Sequence, residues 1–124
     1  MEYEVTIKET SKELTKRERI AIKDTTAMLS LDAESQHCEG TLMIDVDYYA
    51  ILAIHNSKSQ NNQDYDNLVI RDINGSYYYT GSTSFLKSFK AIADEMGDEA
   101  FSIRVYRKDS KNYSGKQFLS CTIM

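Results

Sequence analysis

The stretch from Leu68 to the end of the chain constrains the fold more than any other, because it reads as a hairpin, a helix and a second hairpin. LVIRDI and SYYYT flank Asn74-Gly75, and a two-residue turn between strands needs positive φ at both central positions, which Asn-Gly supplies. Counting outward sets Asp72 opposite Tyr77, Arg71 opposite Tyr78 and Ile70 opposite Tyr79. Arg71 over Tyr78 would then form a cation–π pair, with Ile70 and Tyr79 taken as the core side. After Gly81, one of Ser82, Thr83 or Ser84 can cap a helix. Its apolar residues Phe85, Phe89, Ile92 and Met96 recur at helical spacing, and Gly97 supplies the stop. This stripe is expected to close the core, with Lys87 and Lys90 on the wet face. Phe101, Ile103 and Val105, then Leu119, Cys121 and Ile123, alternate as two strands joined by a polar turn.

Upstream, Leu42, Ile44, Val46, Tyr48, Ala50, Leu52 and Ile54 alternate with a more polar set, which predicts one long strand at roughly 41 to 55. A strand longer than the common five or six residues calls for a bend or a bulge, as a small barrel requires. Asp45 and Asp47 share its other face, and with no third ligand or histidine beside them they read as an outward, solvated pair. Residues 56 to 67, NSKSQNNQDYDN, read as a long loop at a hairpin tip. Near the start, Tyr3, Val5 and Ile7 alternate as a strand over about 3 to 9. The segment between is ambiguous. Thr15 with Glu18 suits a capping box, whereas Ile20 and Ile22 alternate, so a short helical turn followed by extended chain is expected.

With 124 residues the chain suits one domain spanning 1–124. No apolar run approaches the roughly 18 residues of a membrane span, and the acidic start does not resemble a secretory signal, so a cytoplasmic location is expected. Cys38 and Cys121 have no paired spacing and read as a loop thiol and a small core residue. His37-Cys38 and His55 lack partners at ligand spacing, so neither a metal nor a cofactor is expected. No phosphate loop, nucleophile elbow or metalloprotease motif is present, and no enzyme activity is expected.

Charge is distributed unevenly. Residues 1 to 100 carry 10 Lys or Arg against 18 Asp or Glu, while residues 101 to 124 carry five against one. A basic segment inside an acidic chain suits a local phosphate-tracking surface. There are nine tyrosines and no tryptophan, and bases stack on tyrosine rings for about 1–3 kcal/mol each.

The order of elements, β-β-β-α-β-β, is that of a five-stranded oligonucleotide-binding (OB-fold-like) barrel, mostly β with one helix. At this point a family likeness adds to the reading. Residues 68–124, with the Asn74-Gly75 hairpin, the Ser-led helix, the FSIRV strand and the GKQFLS ending, resemble the C-terminal half of the single-stranded DNA-binding proteins of protein-primed tailed phages of Gram-positive hosts. The resemblance implies a non-catalytic protein that coats single-stranded DNA during replication or recombination of a phage or mobile element, alongside replication proteins. It also implies tyrosines that stack on bases, a role carried here to Tyr78, Tyr106 and Tyr113. The chain ends in apolar Thr122-Ile123-Met124, unlike the acidic tail through which cellular bacterial single-strand binders recruit partners. With the local cations, the expected surface is Arg71, Tyr78, Arg104, Tyr106, Lys108, Lys111, Tyr113 and Lys116. The alternative is an acidic phage-encoded inhibitor that mimics DNA against a host defence nuclease, resting on Glu2, Glu4, Asp45, Asp47, Asp64 and Asp66.

Overall fold

One strand, β3 (Leu42–Asn56), organises the architecture because both of its edges are paired. In the computed structural model, which describes residues 3–24, 28–31, 33–34, 42–56, 64–97, 99–109 and 117–124, β4 (Asp64–Asp72) runs antiparallel along one edge. Along the other edge lie β6 (Phe101–Asp109), beside the first part of β3, and β1 (Tyr3–Thr10), beside the second. The bulge anticipated from its length falls at Asp47, since Val46 pairs with Asp72 and Tyr48 with Arg71. One extra residue reverses which parity faces which side. Before it, Ile44 and Val46 join a core with Phe85 and Phe89. After it, Tyr49 and Ile51 take over that core, while Tyr48, Ala50, Leu52 and Ile54 form a second core on the other side. The single apolar face expected for this strand is therefore split between two cores.

β5 (Tyr77–Thr80) completes the first hairpin, in a register one residue away from the expected one. Arg71 pairs with Tyr77, Ile70 with Tyr78 and Leu68 with Thr80. The cause is Asp72. Its backbone N–H donates to the Ser76 carbonyl at 2.8 Å and its carbonyl accepts from the Gly75 N–H at 2.9 Å. Its carboxylate accepts the Asn74 N–H at 2.8 Å. These bonds enclose a three-residue loop, Ile73-Asn74-Gly75, with Gly75 at φ 94, the position that such a loop reserves for glycine. Tyr78 consequently faces the first core beside Ile70, and Tyr79 faces the second. Ile70 is core as expected; Tyr79 lies on the opposite side from it.

The long helix, here called α2, spans Thr83–Met96. Ser82 caps it, its hydroxyl accepting the Phe85 N–H at 3.2 Å, and Gly97 ends it at φ 62. Phe85 and Phe89 are fully buried, and the Phe89 ring meets Tyr49 edge-on at 5.0 Å between centroids. Lys87 is exposed as expected, but Lys90 is not on a wet face. It ion-pairs with Glu9 and Asp94 and lies 5.7 Å from the Tyr49 ring centre. β7 (Gln117–Ile123) forms the final hairpin with β6. α2 is stitched to it by the Ser84 hydroxyl donating to the Leu119 carbonyl and by the Ser88–Ser120 hydroxyl pair.

The N-terminal segment is more structured than its polar sequence suggests. After β1 comes α1 (Lys16–Lys23), with the Thr15–Glu18 capping box formed in both directions. β2 (Leu29–Ser30) then runs parallel to β5. Asp64–Asn67, expected in the loop, belong to β4 because they pair with Leu52–His55 of β3. Backbone pairing and the burial of Asn67 outweigh their polar composition. The sheet order is β2-β5-β4-β3-β6-β7, with β1 added to β3. Among the described residues this makes seven strands and two helices in a curled, mixed sheet, where five strands and one helix were expected. β2 occupies the edge of β5, so the sheet curls without closing on β7. From β3 onward the elements run β-β-β-α-β-β.

Candidate functional site

The expected surface splits. Arg71 and Tyr78 stand on neighbouring strands but on opposite faces of the sheet, Tyr78 being packed against the core beneath α2. Arg71 meets two other rings, its guanidinium carbon lying 5.7 Å from the Tyr48 centroid and 5.8 Å from that of Tyr77. Sequence reasoning missed both rings for identifiable reasons. Tyr77 was displaced by the one-residue change of register, and Tyr48 by the parity reversal at the bulge. The Tyr48 and Tyr77 hydroxyls share a hydrogen bond of 2.8 Å, and their rings meet edge to face at 6.3 Å. Burial, followed by that shared bond, pushes the Tyr48 hydroxyl well above the ordinary phenol range. It stays neutral and acts as a packing and hydrogen-bonding group. Lys12 caps the same ring at 4.8 Å.

Arg71 also ion-pairs with Asp47, the bulge residue. Its hydrogen bond to that carboxylate raises the guanidinium pKa still further, so Arg71 is a permanent cation with one arm committed. Among the described residues its buried Nε has no hydrogen-bond partner. The aspartate pair therefore differs from the solvated pair expected. Both point outward, yet Asp47 holds Arg71 and Asp45 accepts a hydrogen bond from the Ser102 hydroxyl.

On β6, Arg104 is exposed between Met43 and Thr122, and Tyr106 is half-buried opposite Ser120. Alternation away from the inward Ile103 and Val105 puts Arg104 on the same side of the sheet as Asp47 and Arg71. Lys108 stands in β6 opposite Phe118, with its side chain outside the described residues. Lys111, Tyr113 and Lys116 also lie outside the described residues. What the structure brings together on one side is thus Tyr48, Arg71, Tyr77 and Tyr79 at the β3–β5 end and Arg104 on β6, with Asp45 and Asp47 between. Tyr77 and Tyr79 are only half-buried. Partly open rings bordered by a fixed cation can stack flat π-systems and hold an anion nearby.

Elsewhere, Glu4, His55 and Asp64 stand in a row across β1, β3 and β4. They line a groove of about 300 Å³ with Asp66. His55 Nδ1 lies 2.6 Å from Asp64, and Asp66 is paired with Lys8 at 2.9 Å. Cys121 is buried among core residues, which pushes its thiol up to about 12 and leaves it inert at neutral pH. Among the described residues, no three His, Cys, Asp or Glu side chains are placed to hold a metal ion, and no helix is long and apolar enough to cross a membrane. No family model, curated protein or solved structure matches the chain.

Proposed function

We propose that this protein binds single-stranded DNA without enzymatic activity, by stacking bases on tyrosine rings and tracking phosphates with lysine and arginine. The observation that carries the reading is the sheet face bearing Arg71, whose guanidinium meets the Tyr48 and half-buried Tyr77 rings, with half-buried Tyr79 and exposed Arg104 on the same side. The fold supports it further. Residues 42–124 follow the element order of the oligonucleotide-binding barrel, which offers the outer face of its second and third strands to nucleic acid, here β4 and β5. In this reading the domain is such a barrel held open at one seam by β2. With the resemblance of residues 68–124 to phage single-strand binders, the proposed role is replication or recombination of a phage or mobile element, in a host cytoplasm. The ring assigned to Arg71 is Tyr77, not Tyr78.

Fluorescence titration with oligo-dT at low and moderate salt tests this, since phosphate neutralisation releases counterions and binding should weaken as salt rises. Replacing Tyr77 by Leu, which keeps apolar bulk but removes the ring, is expected to weaken binding by about 1–3 kcal/mol. Absence of binding at roughly 100 μM protein in low salt, the weak end of non-specific affinity, would remove the proposal.

A second reading, an acidic inhibitor of a host nuclease acting as a DNA mimic, draws on the Glu4–His55–Asp64 row and its groove. Co-purification with such a nuclease, together with absent oligonucleotide binding, would favour it. Retained inhibition after replacing Glu4, Asp64 and Asp66 by their amides would rule out the mimicry.

A further inference from the structure

The free positive charge of the described residues is concentrated on α1. Lys8, Lys12, Arg71 and Lys90 are each tied to a carboxylate. Lys16, Arg17, Arg19 and Lys23 are all exposed and, among the described residues, have no ion-pair partner. The acid that dilutes this charge in the sequence, Glu18, is consumed by the capping box and by Lys12 at 3.5 Å. Lys16, Arg19 and Lys23 are separated by three and four residues, which stacks them along one stripe of the helix. Arg19 and Lys23 form one wall of a groove of about 570 Å³ between α1 and β1, with Val5, Ile7 and Leu14 among its apolar lining and Thr6 as a hydroxyl. Glu13 is the one acid in that lining.

The groove and the surface described above are built over one core. Leu14 and Ile22 belong to the same cluster as Tyr48 and Val69, against which Tyr77 and Tyr79 also pack. Lys12, in the segment between β1 and α1, lies over the Tyr48 ring. A row of unpaired cations over an apolar-floored channel fits a ligand with regularly spaced anions on one side and flat apolar groups on the other. A single nucleic-acid strand has that form.

We infer that α1 is a phosphate-tracking wall and that a single strand leaving the Tyr77–Arg71 face continues along the α1–β1 groove, contacting Arg19 and Lys23, with Lys16 extending the row. This rests on the single-strand-binding reading and adds a segment of path to it. The salt dependence of oligo-dT binding tests it. Arg19→Gln/Lys23→Gln removes two charges, and Lys87→Glu changes net charge by the same amount on exposed α2, on the other side of the sheet. For single strands each lost phosphate contact lowers the slope of log K against log salt by about 0.7. The double variant is therefore expected to lose about 1.4 in slope, and Lys87→Glu to lose none. Arg19→Lys/Lys23→Arg, which keeps both charges, should retain the wild-type slope. An unchanged slope in the double variant, or an equal loss with Lys87→Glu, overturns the inference while leaving single-strand binding intact. Absent binding by the wild-type protein removes both.

Discussion

The sheet has a helix on each face, and the two are built on different terms. α2 has 14 residues and buries two phenylalanines and Ala93, with Leu86 and Ile92 half-covered. α1 has eight residues and buries Ile22 alone, while Ile20 is 71% exposed. A helix of eight residues does not sustain itself in water, so α1 depends on its capping box and on that one side chain. Its cations are left free, whereas Lys90 of α2 is bound on both sides by carboxylates. An aromatic stripe at helical spacing thus marks closure of a core. A charged helix held by a single anchor contributes its exposed face instead.

The comparison can be broken by removing each helix's anchor. Phe89→Ala deletes a ring packed against Tyr49, Phe85 and Phe101 and should cost about 3–5 kcal/mol in urea unfolding of the whole domain. Ile22→Ala also vacates a fully buried site, yet the thin cover around it can settle, so about 2–3 kcal/mol is expected, the lower part of the range for such truncations. Much of that loss should appear as local opening. Native-state hydrogen exchange should show α1 amides exchanging well before those of β3. If Ile22→Ala lowered global stability as far as Phe89→Ala, with α1 exchanging only on complete unfolding, the two helices would be equivalent and the contrast would fail.

The same difference explains what could be read from the sequence. α2 and β3 were legible because their periods are strong and long: Phe85 and Phe89 at helical spacing, and the alternation from Leu42 to Ile54. The bulge was anticipated from the length of β3, but not its position, because nothing local distinguishes Asp47 from Asp45. Its role emerges only when Arg71 of β4 is beside it. The hairpin turn was legible as a turn and misread in register, because the Asp72 side chain offers the Asn74 N–H a bond that favours three loop residues over two. That shift turned Tyr78, half-buried like its neighbours, toward the first core and put Tyr77 beside Arg71. Asp64–Asn67 look like loop until β3 pairs with them. At the candidate site, Arg104 was picked out by the basic charge of the last 24 residues and Arg71 by the hairpin register, which assigned it the wrong ring. The α1 cations give little signal in the sequence, where Glu13 and Glu18 dilute them; the structure shows Glu18 committed to the cap and to Lys12.

The smallest effect tests the cap itself. The Glu18 carboxylate accepts the Thr15 N–H at 2.9 Å while its own N–H donates to the Thr15 hydroxyl at 3.2 Å. The bond from the Thr15 backbone, aided by the charge of Lys12, holds Glu18 below the ordinary carboxylate range. A depressed carboxylate stabilises the fold in full above its unfolded pKa, and that contribution is lost as pH falls through the folded value. Acidification should therefore loosen α1 first, with the Thr15 amide resonance titrating at a midpoint below that of an ordinary glutamate. Glu18→Gln should abolish the transition while leaving a weaker neutral acceptor in place. Oligo-dT is the useful probe, because thymine and the α1 cations keep their charge states over this range. Weaker oligo-dT binding on acidification, absent in Glu18→Gln, would then report the placement of α1 and not its charge. A wild-type midpoint at the ordinary glutamate value would mean that the box does not hold α1 in solution, leaving Ile22 as its only anchor.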